Sequence, residues 1–302
     1  MIDVDNEFKK HRPILIVANS SWYLTHYRRL LISNLKSKNK FVITLAPLDS
    51  SSIELSKLSL FIPWKAPRLK ALNLFSTLKS LLRLFFIVRT IKPSIIHSHT
   101  LKANFLVSFV SMFFGIPTVL SFAGMGELSN SKGVKKYIYT LVLLLIRLNS
   151  NLERIRTFKI EKTYKRTAFI FQNNIDLNFF RQKFDIKNNF HSICIPGSGL
   201  PEIYLDSSTS KKYLNKFDTT IVNNEIFDFI FCARLLKSKG IFNFLDTAKV
   251  FKKHNFIVFG NRDSSKFESI SQKELKFYKD NYKNIIFEGN QINPLLSRNI
   301  NL

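Results

Sequence analysis

Residues Phe229–Gly240 read FIFCARLLKSKG. An apolar, strand-like run (Phe229, Ile230, Phe231) leads into Ala233-Arg234, then a basic turn with Lys237 and Lys239, then Gly240 and an apolar-periodic segment from Ile241 to Phe251. Strand, cationic turn and helix start in that order form a phosphate-binding arrangement. The first N–H groups of a helix lack intrahelical partners, its N-terminus carries a partial positive charge, and two cations reach the same point. The same residues also suit a basic turn exposed to water.

Three further clusters could carry chemistry. His97-Ser98-His99-Thr100 ends a strand, where the two imidazoles share a face. Such a pair could ligate a metal with a carboxylate, but no suitably spaced third ligand is visible, and no metal site is expected. Asn19-Ser20-Ser21-Trp22 lies where the first strand meets the first helix. Ser and Asn there cap the helix, and the absence of Rossmann glycines argues against a dinucleotide. Ser121–Glu127 (SFAGMGE) follows a strand, and Gly124 and Gly126 permit positive φ and close backbone approach to a ligand. Glu127 reads as a solvated loop acid.

The elements that must position these residues alternate along the chain. Strands are expected at Pro13–Asn19, Phe41–Ala46, Leu60–Pro63, Ser94–His97, Thr118–Phe122 and Ala168–Gln172. Helices are expected at Trp22–Lys36, Leu69–Ile91, Ala103–Phe114, Val134–Leu148 and Asp176–Phe184. After a linker-like stretch, Lys187–Ile193, the pattern restarts with strand Phe227–Ala233, helix Ile241–Lys252, strand Phe256–Gly260, helix Ser265–Asp280 and strand Ile285–Glu288. Short continuous apolar runs such as PILIVAN are typical of parallel strands buried on both faces. The reading is therefore α/β, two doubly wound Rossmann-like domains, residues 1–185 and 186–302. Only three strands follow residue 225, so the second sheet is expected to be incomplete.

Bulk properties narrow the class. A chain of 302 residues, 45% hydrophobic, with two cysteines in apolar contexts, suits a globular protein of a reducing compartment. The polar opening MIDVDNEFKKHRP does not read as a signal peptide. Phe105–Phe122 is the nearest approach to a membrane span, and Gly115-Ile116-Pro117 divides it into helix and strand. The net charge of +25 is uneven. Residues 1–185 carry 29 Lys/Arg and 10 Asp/Glu, net +19, and residues 186–302 carry 17 and 11, net +6. An anionic partner for the first half follows, with nucleic acid, an acidic membrane surface or a phosphorylated lipid as classes. No helix-turn-helix, RNP-like or zinc-finger pattern supports nucleic acid.

Taken in order, these segments resemble glycosyltransferase family 4, of the GT-B fold. FCARLLKSKG is similar to the family's GRL-x-x-x-KG element, ILIVANSSWYLTHYRRLL to its opening, and IKPSIIHSHTLKANFLVSFVSMFFGIPTVLSF to its KPDIVH-x-H-x-x-KA…GIP-x-V stretch. FIFQNNIDLNFF resembles the segment that closes the first domain, IPGSG (Gly197, Ser198, Gly199) the start of the second, and Phe259–Asp263, with Gly260, the VG-x-x-D element. Each motif is weak alone; their colinearity carries the resemblance. Two departures stand out. Ala123 takes a position where the family carries His or Thr. The chain also ends before the family's paired glutamates, EG-[FLM]-P…EA, and is expected to be truncated.

The resemblance implies transfer of a sugar, with retained configuration, from a nucleotide sugar such as a UDP-sugar to a polyprenyl-diphosphate-linked glycan in surface polysaccharide or lipopolysaccharide biosynthesis. Arg234, Lys239 and Gly240 would hold the donor diphosphate, and no dedicated metal is implied; the sequence's Asp-x-Asp, Asp3-Val4-Asp5, lies in the polar leader rather than on a strand. Ser20, Ser21, Trp22, Arg28, His99, Gly124 and Gly126 would lie on the cleft or acceptor side. Gly197, Ser198, Gly199, Gly260 and Asp263 would supply loops of the second domain. No general base is assigned. The expected setting is cytoplasmic, peripheral on the inner face of an anionic membrane. The missing glutamates give the alternative, a remnant or binding subunit without catalysis.

Overall fold

The computed structural model describes residues 12–65, 74–124, 144, 167–183, 191–197, 229–263 and 268–289. It divides into two compact units, Met1–Leu200 and Pro201–Leu302. Apart from Leu144, the helix expected over Val134–Leu148 lies outside the described residues, as do Gly126, Ser198 and Gly199.

The first unit is built on a seven-stranded sheet in the order β3-β2-β1-β4-β5-β6-β7, every neighbouring pair parallel. Its strands are β1 (Ile14–Val17), β2 (Val42–Ala46), β3 (Leu60–Pro63), β4 (Ile95–His99), β5 (Thr118–Phe122), β6 (Thr167–Phe171) and β7 (His191–Cys194). The helices between them are α1 (Ser21–Tyr27), α2 (Arg29–Ser37), α3 (Ser52–Leu58), α4 (Leu74–Ile91), α5 (Leu101–Phe114) and α6 (Asn174–Lys183). The order doubles back between β1 and β4, so the chain leaves these neighbours in opposite directions and opens a crevice beyond their carboxyl ends.

The apolar run of β1 is divided between two cores, as a strand covered on both faces requires. Leu15 and Val17 join a large cluster with Ile43, Leu45, Ile96, Leu120 and the buried faces of α4 and α5. Ile16 and Ala18 join a second cluster with Leu24, Ile32, Val42, Ala46 and Leu55. Phe122, Phe169, Phe171 and Phe180 stack across β5, β6 and α6, with centroids 5.1–6.5 Å apart. Gly115, in the left-handed region at φ 62°, ends α5. Pro117 follows it and Thr118 begins β5, so Phe105–Phe122 is a helix and a strand. Among the described residues no helix is long and apolar enough to cross a membrane.

Three boundaries differ from the sequence reading. The helix expected over Trp22–Lys36 is two, broken at Arg28 (φ −124°, ψ 7°). Helix α3 was not expected at all. The stretch read as linker contains β7, which extends the first sheet through Ala168↔His191 to Phe171↔Cys194. Arg181 of α6 donates to the Ser192 carbonyl at 3.2 Å. The first unit therefore ends at Leu200, not at residue 185.

The second unit carries a parallel three-stranded sheet among its described residues, ordered β10-β9-β8: β8 (Phe229–Cys232), β9 (Phe256–Phe259) and β10 (Ile285–Gly289). Helices α7 (Ile241–Val250) and α8 (Gln272–Asn281) accompany it. Phe231, Leu235, Ile241, Leu245, Phe256, Val258, Ile270 and Tyr278 form its core. Of the helix expected from Ser265, the described residues 268–271 lie outside α8, which Ser271 caps in a reciprocal box. The Ser271 hydroxyl accepts from the Glu274 N–H at 3.1 Å, and the Glu274 carboxylate accepts from the Ser271 N–H at 2.7 Å. Just before the cap, the Ile270 N–H donates to the Leu235 carbonyl at 3.0 Å.

Candidate functional site

In the first unit the β1–α1 turn and the end of β4 meet at the crevice where the strand order reverses. Ser20 is the N-cap of α1; its hydroxyl accepts from the Tyr23 N–H at 3.3 Å and donates to Asp49 Oδ2 at 3.0 Å. The same carboxylate oxygen accepts from the Trp22 N–H at 3.0 Å. Asp49, which no motif in the sequence singles out, thus supplies the negative charge that a helix N-terminus favours. Ser21 is fully buried and donates to the Pro47 carbonyl at 2.6 Å. Both serines are committed to holding the turn. Trp22 is exposed and stacks on His26 with centroids 4.6 Å apart.

Arg28, at the break between α1 and α2, reaches the end of β4. Its Nε donates to His99 Nδ1 at 3.2 Å, and one terminal nitrogen donates to the Tyr23 hydroxyl at 2.7 Å. The guanidinium also lies 5.3 Å from the Tyr23 ring centroid. His97 and His99 share a face, as the strand period requires, with centroids 4.2 Å apart. His97 Nε2 and Ser121 Oγ are 2.8 Å apart. Asn104 Nδ2 and the Thr100 N–H both donate to the Ser121 carbonyl, at 2.9 and 3.2 Å. Burial, reinforced by the Arg28 charge, lowers the His97 pKa to about 4. Burial, His97 and Arg28 hold His99 well below the ordinary imidazole range. Both rings are neutral at physiological pH. Gly124, just past β5, has φ 91° and open space where a Cβ would be.

The second unit assembles its candidate site from two loops. After β8 the chain runs through Arg234 and a 3₁₀ turn, Lys237–Lys239, to Gly240 at φ 82°, the N-cap of α7. Among the described residues no side chain caps this helix, and Lys237 and Lys239 are exposed beside its start. Arg234 pairs with Asp263 at 3.1 Å. The Asp263 N–H donates to Ser269 Oγ at 3.1 Å, and that hydroxyl donates to the Leu235 carbonyl at 3.3 Å. The two loops touch backbone to backbone at Gly260, where an added Cβ would lie 1.9 Å from the Ala233 carbonyl oxygen. Only glycine fits. Gly197 has φ 64° and follows β7, so it belongs to the first unit rather than to this loop set. Among the described residues no three His, Cys, Asp or Glu side chains come together as a metal site.

Residues 13–161 match the family described as "Glycosyl transferase 4-like". Over that segment, just under half of the chain, the sequence is similar to this family. No curated protein matches the chain. Its fold is that of GT-B glycosyltransferases. It is similar to sucrose-phosphate synthase from Thermosynechococcus elongatus (12% identity, TM-score 0.60, covering 93% of this chain and 71% of that one). It is also similar to Anabaena HepE, solved with UDP (13%, TM-score 0.57, 93% and 70%). A glycosyltransferase from Rickettsia africae gives 13%, TM-score 0.57, 93% and 69%. At these identities the likeness concerns the fold. The family match spans the β1–α1 turn, Arg28, both histidines and Gly124.

Proposed function

We propose that this chain is a glycosyltransferase that moves a sugar from a UDP-sugar to a polyprenyl-diphosphate-linked glycan, with retained configuration, in the assembly of a surface polysaccharide. The observation that carries the donor half is the second unit's cationic turn: Arg234, Lys237 and Lys239 around the uncapped start of α7. As the bond from the anomeric carbon to the diphosphate breaks, negative charge builds on the leaving UDP. Cations and helix N–H groups already in place stabilise that charge without reorganising. Each hydrogen bond from a charged donor contributes about 1.5–3 kcal/mol. We assign this task to Arg234, Lys239 and the backbone at Gly240 rather than to a resident metal, since no Asp-x-Asp follows a strand in the sequence. HepE, similar in fold, is solved with UDP-glucose, which supports a uridine nucleotide as donor.

The first unit supports a lipid-borne acceptor. Phe75, Leu78, Leu82 and Phe86 recur every three or four residues along α4 and are all exposed, Phe75 at 76% and Phe86 at 60%. Lys79, Arg83 and Arg89 are exposed beside them, and α4 contains no acidic residue. Phe113 of α5, 64% exposed, continues the apolar surface through its edge contact with Phe85. An apolar row edged by cations suits insertion at the surface of an anionic bilayer. We place the protein on the inner, cytoplasmic face of the membrane, where such an acceptor is reached.

The experiment is direct. The purified chain is titrated with UDP by calorimetry, then incubated with radiolabelled UDP-sugars and a polyprenyl-diphosphate-linked monosaccharide. Binding of UDP together with label in the lipid product is the expected result. Absence of UDP binding at millimolar concentration would remove the donor assignment.

A further inference from the structure

The end of β4 and the first turn of α5 hold four buried polar atoms without a hydrogen-bond partner among the described residues: Ser98 Oγ, His99 Nε2, Thr100 Oγ1 and Asn104 Oδ1. Buried polar groups are nearly always paired, so orphans gathered in one turn point to a ligand. Of these, His99 can be given a defined chemical form. An arginine Nε always carries hydrogen, so the Nδ1 that it meets at 3.2 Å must be the lone-pair nitrogen of His99. The neutral ring then keeps its proton on Nε2. A second proton on Nδ1 would confront the Arg28 N–H directly.

The arginine is itself held. The Tyr23 hydroxyl takes a 2.7 Å hydrogen bond from it, and the Tyr27 carbonyl another at 3.4 Å. The other titratable groups against His99 are His97, neutral and occupied with Ser121 Oγ, and Tyr23, whose ring lies 5.7 Å away and whose hydroxyl is occupied with Arg28. Neither neighbour offers His99 Nε2 an acceptor.

We propose that Arg28 is a positioning residue that locks His99 as its Nε2–H tautomer, so that His99 donates a hydrogen bond to an oxygen of the bound acceptor and removes no proton from it. The proposal rests on reading this edge of the first unit as the acceptor side. It deepens that reading by giving the histidine a direction: donor, not base. The ligand group that it fits is a hydroxyl or phosphate oxygen.

Histidine-selective 15N labelling of the full chain tests the tautomer, and comparison with His99→Gln identifies the His99 signals among the six histidines. From pH 5 to 8 Nε2 should be protonated and Nδ1 bare. A proton on Nδ1, or cation formation in that range, overturns the proposal. Arg28→Met should release a mixture of tautomers; an unchanged Nε2–H spectrum in a folded Arg28→Met protein overturns the locking role. The ligand arm uses a polyprenyl-diphosphate-linked N-acetylglucosamine in detergent, which should shift the Nε2–H resonance. His99→Ala should raise the KM for that acceptor by about tenfold, roughly one hydrogen bond to a buried group. His99→Gln, which keeps an N–H donor, should recover most of that loss without altering the pH profile. A correct tautomer with neither a resonance shift nor a KM effect overturns the donor role and the acceptor-side reading together, leaving the Arg28–His99 geometry intact.

Discussion

The Arg234 guanidinium and the Asp263 carboxylate, 29 residues apart in the chain, meet at 3.1 Å across the two loops of the second unit. One terminal nitrogen is used in that contact. A guanidinium has five N–H donors in a rigid fork, so the remainder stay available to a diphosphate while Asp263 aims the group.

Arg234→Ala and Lys239→Ala should each weaken UDP binding by about tenfold or more, as expected for loss of a charge-assisted contact. Calorimetry on the purified variants measures this. Wild-type affinity in both would place the diphosphate elsewhere. If the same groups stabilise the leaving UDP, turnover falls along with binding.

Gly260→Ala should unfold the second unit, because its Cβ would sit 1.9 Å from the Ala233 carbonyl oxygen at a backbone φ of 147°. The loss should be about 3 kcal/mol or more, since backbone must move. Gly240→Ala meets nothing within 4 Å and strains only its φ of 82°, at about 1 kcal/mol. The two tryptophans, Trp22 and Trp64, both lie in the first unit. Their fluorescence transition should therefore be unmoved by Gly260→Ala while the far-ultraviolet dichroism loses the second unit's share. Equal stability of the two glycine variants would show that the close approach is not real.

His97 makes the first unit acid-sensitive. Its folded pKa of about 4 lies below the unfolded value of 6.5, so the unfolded chain binds the proton first. The stability gained by keeping it neutral is present above pH 6.5 and is lost as pH falls from 6.5 toward 4, by up to about 3 kcal/mol. Urea unfolding followed by tryptophan fluorescence at pH 7, 5.5 and 4.5 should show this slope. His97→Asn should flatten it, and a parallel loss in that variant would assign the acid sensitivity to other groups.

Binding to vesicles of acidic lipid should have two separable parts. Lys79→Gln and Arg83→Gln should each lower partitioning about fivefold at low salt, from roughly 1 kcal/mol per cation. Leu82→Ser with Phe86→Ser should remove the part that survives high salt. If the apolar pair has no effect on sedimentation with vesicles, the α4 row does not enter the bilayer.

Much of this was legible in the sequence, because buried parallel strands write themselves as short apolar runs. PILIVAN, the two-histidine face of β4 and the Gly115–Pro117 break followed from period and chain stereochemistry alone. Apart from the start of α8, set by the local Ser271–Glu274 box, the failures share a cause: the deciding contact lies outside the segment being read. His191–Cys194 has exposed and half-buried residues in alternation and reads as linker until it pairs with β6. Asp49 is unremarkable in sequence, and its role comes from meeting Ser20 and Trp22 across 27 to 29 residues. The break at Arg28 carries no proline or glycine; it is paid in backbone geometry and recovered through the contacts with Tyr23 and His99.

Thr100 joins β4 to α5 with φ 76° and ψ 146°, a conformation nearly reserved for glycine. For a β-branched residue it costs about 1–3 kcal/mol, held in place by bonds to the Ser121 carbonyl and from the Asn104 N–H. Thermal stability alone therefore favours its replacement. A library selected only for heat resistance should drift toward Gly at position 100, whereas one selected for sugar transfer should retain a hydroxyl there, so the two selections would pull this single codon apart.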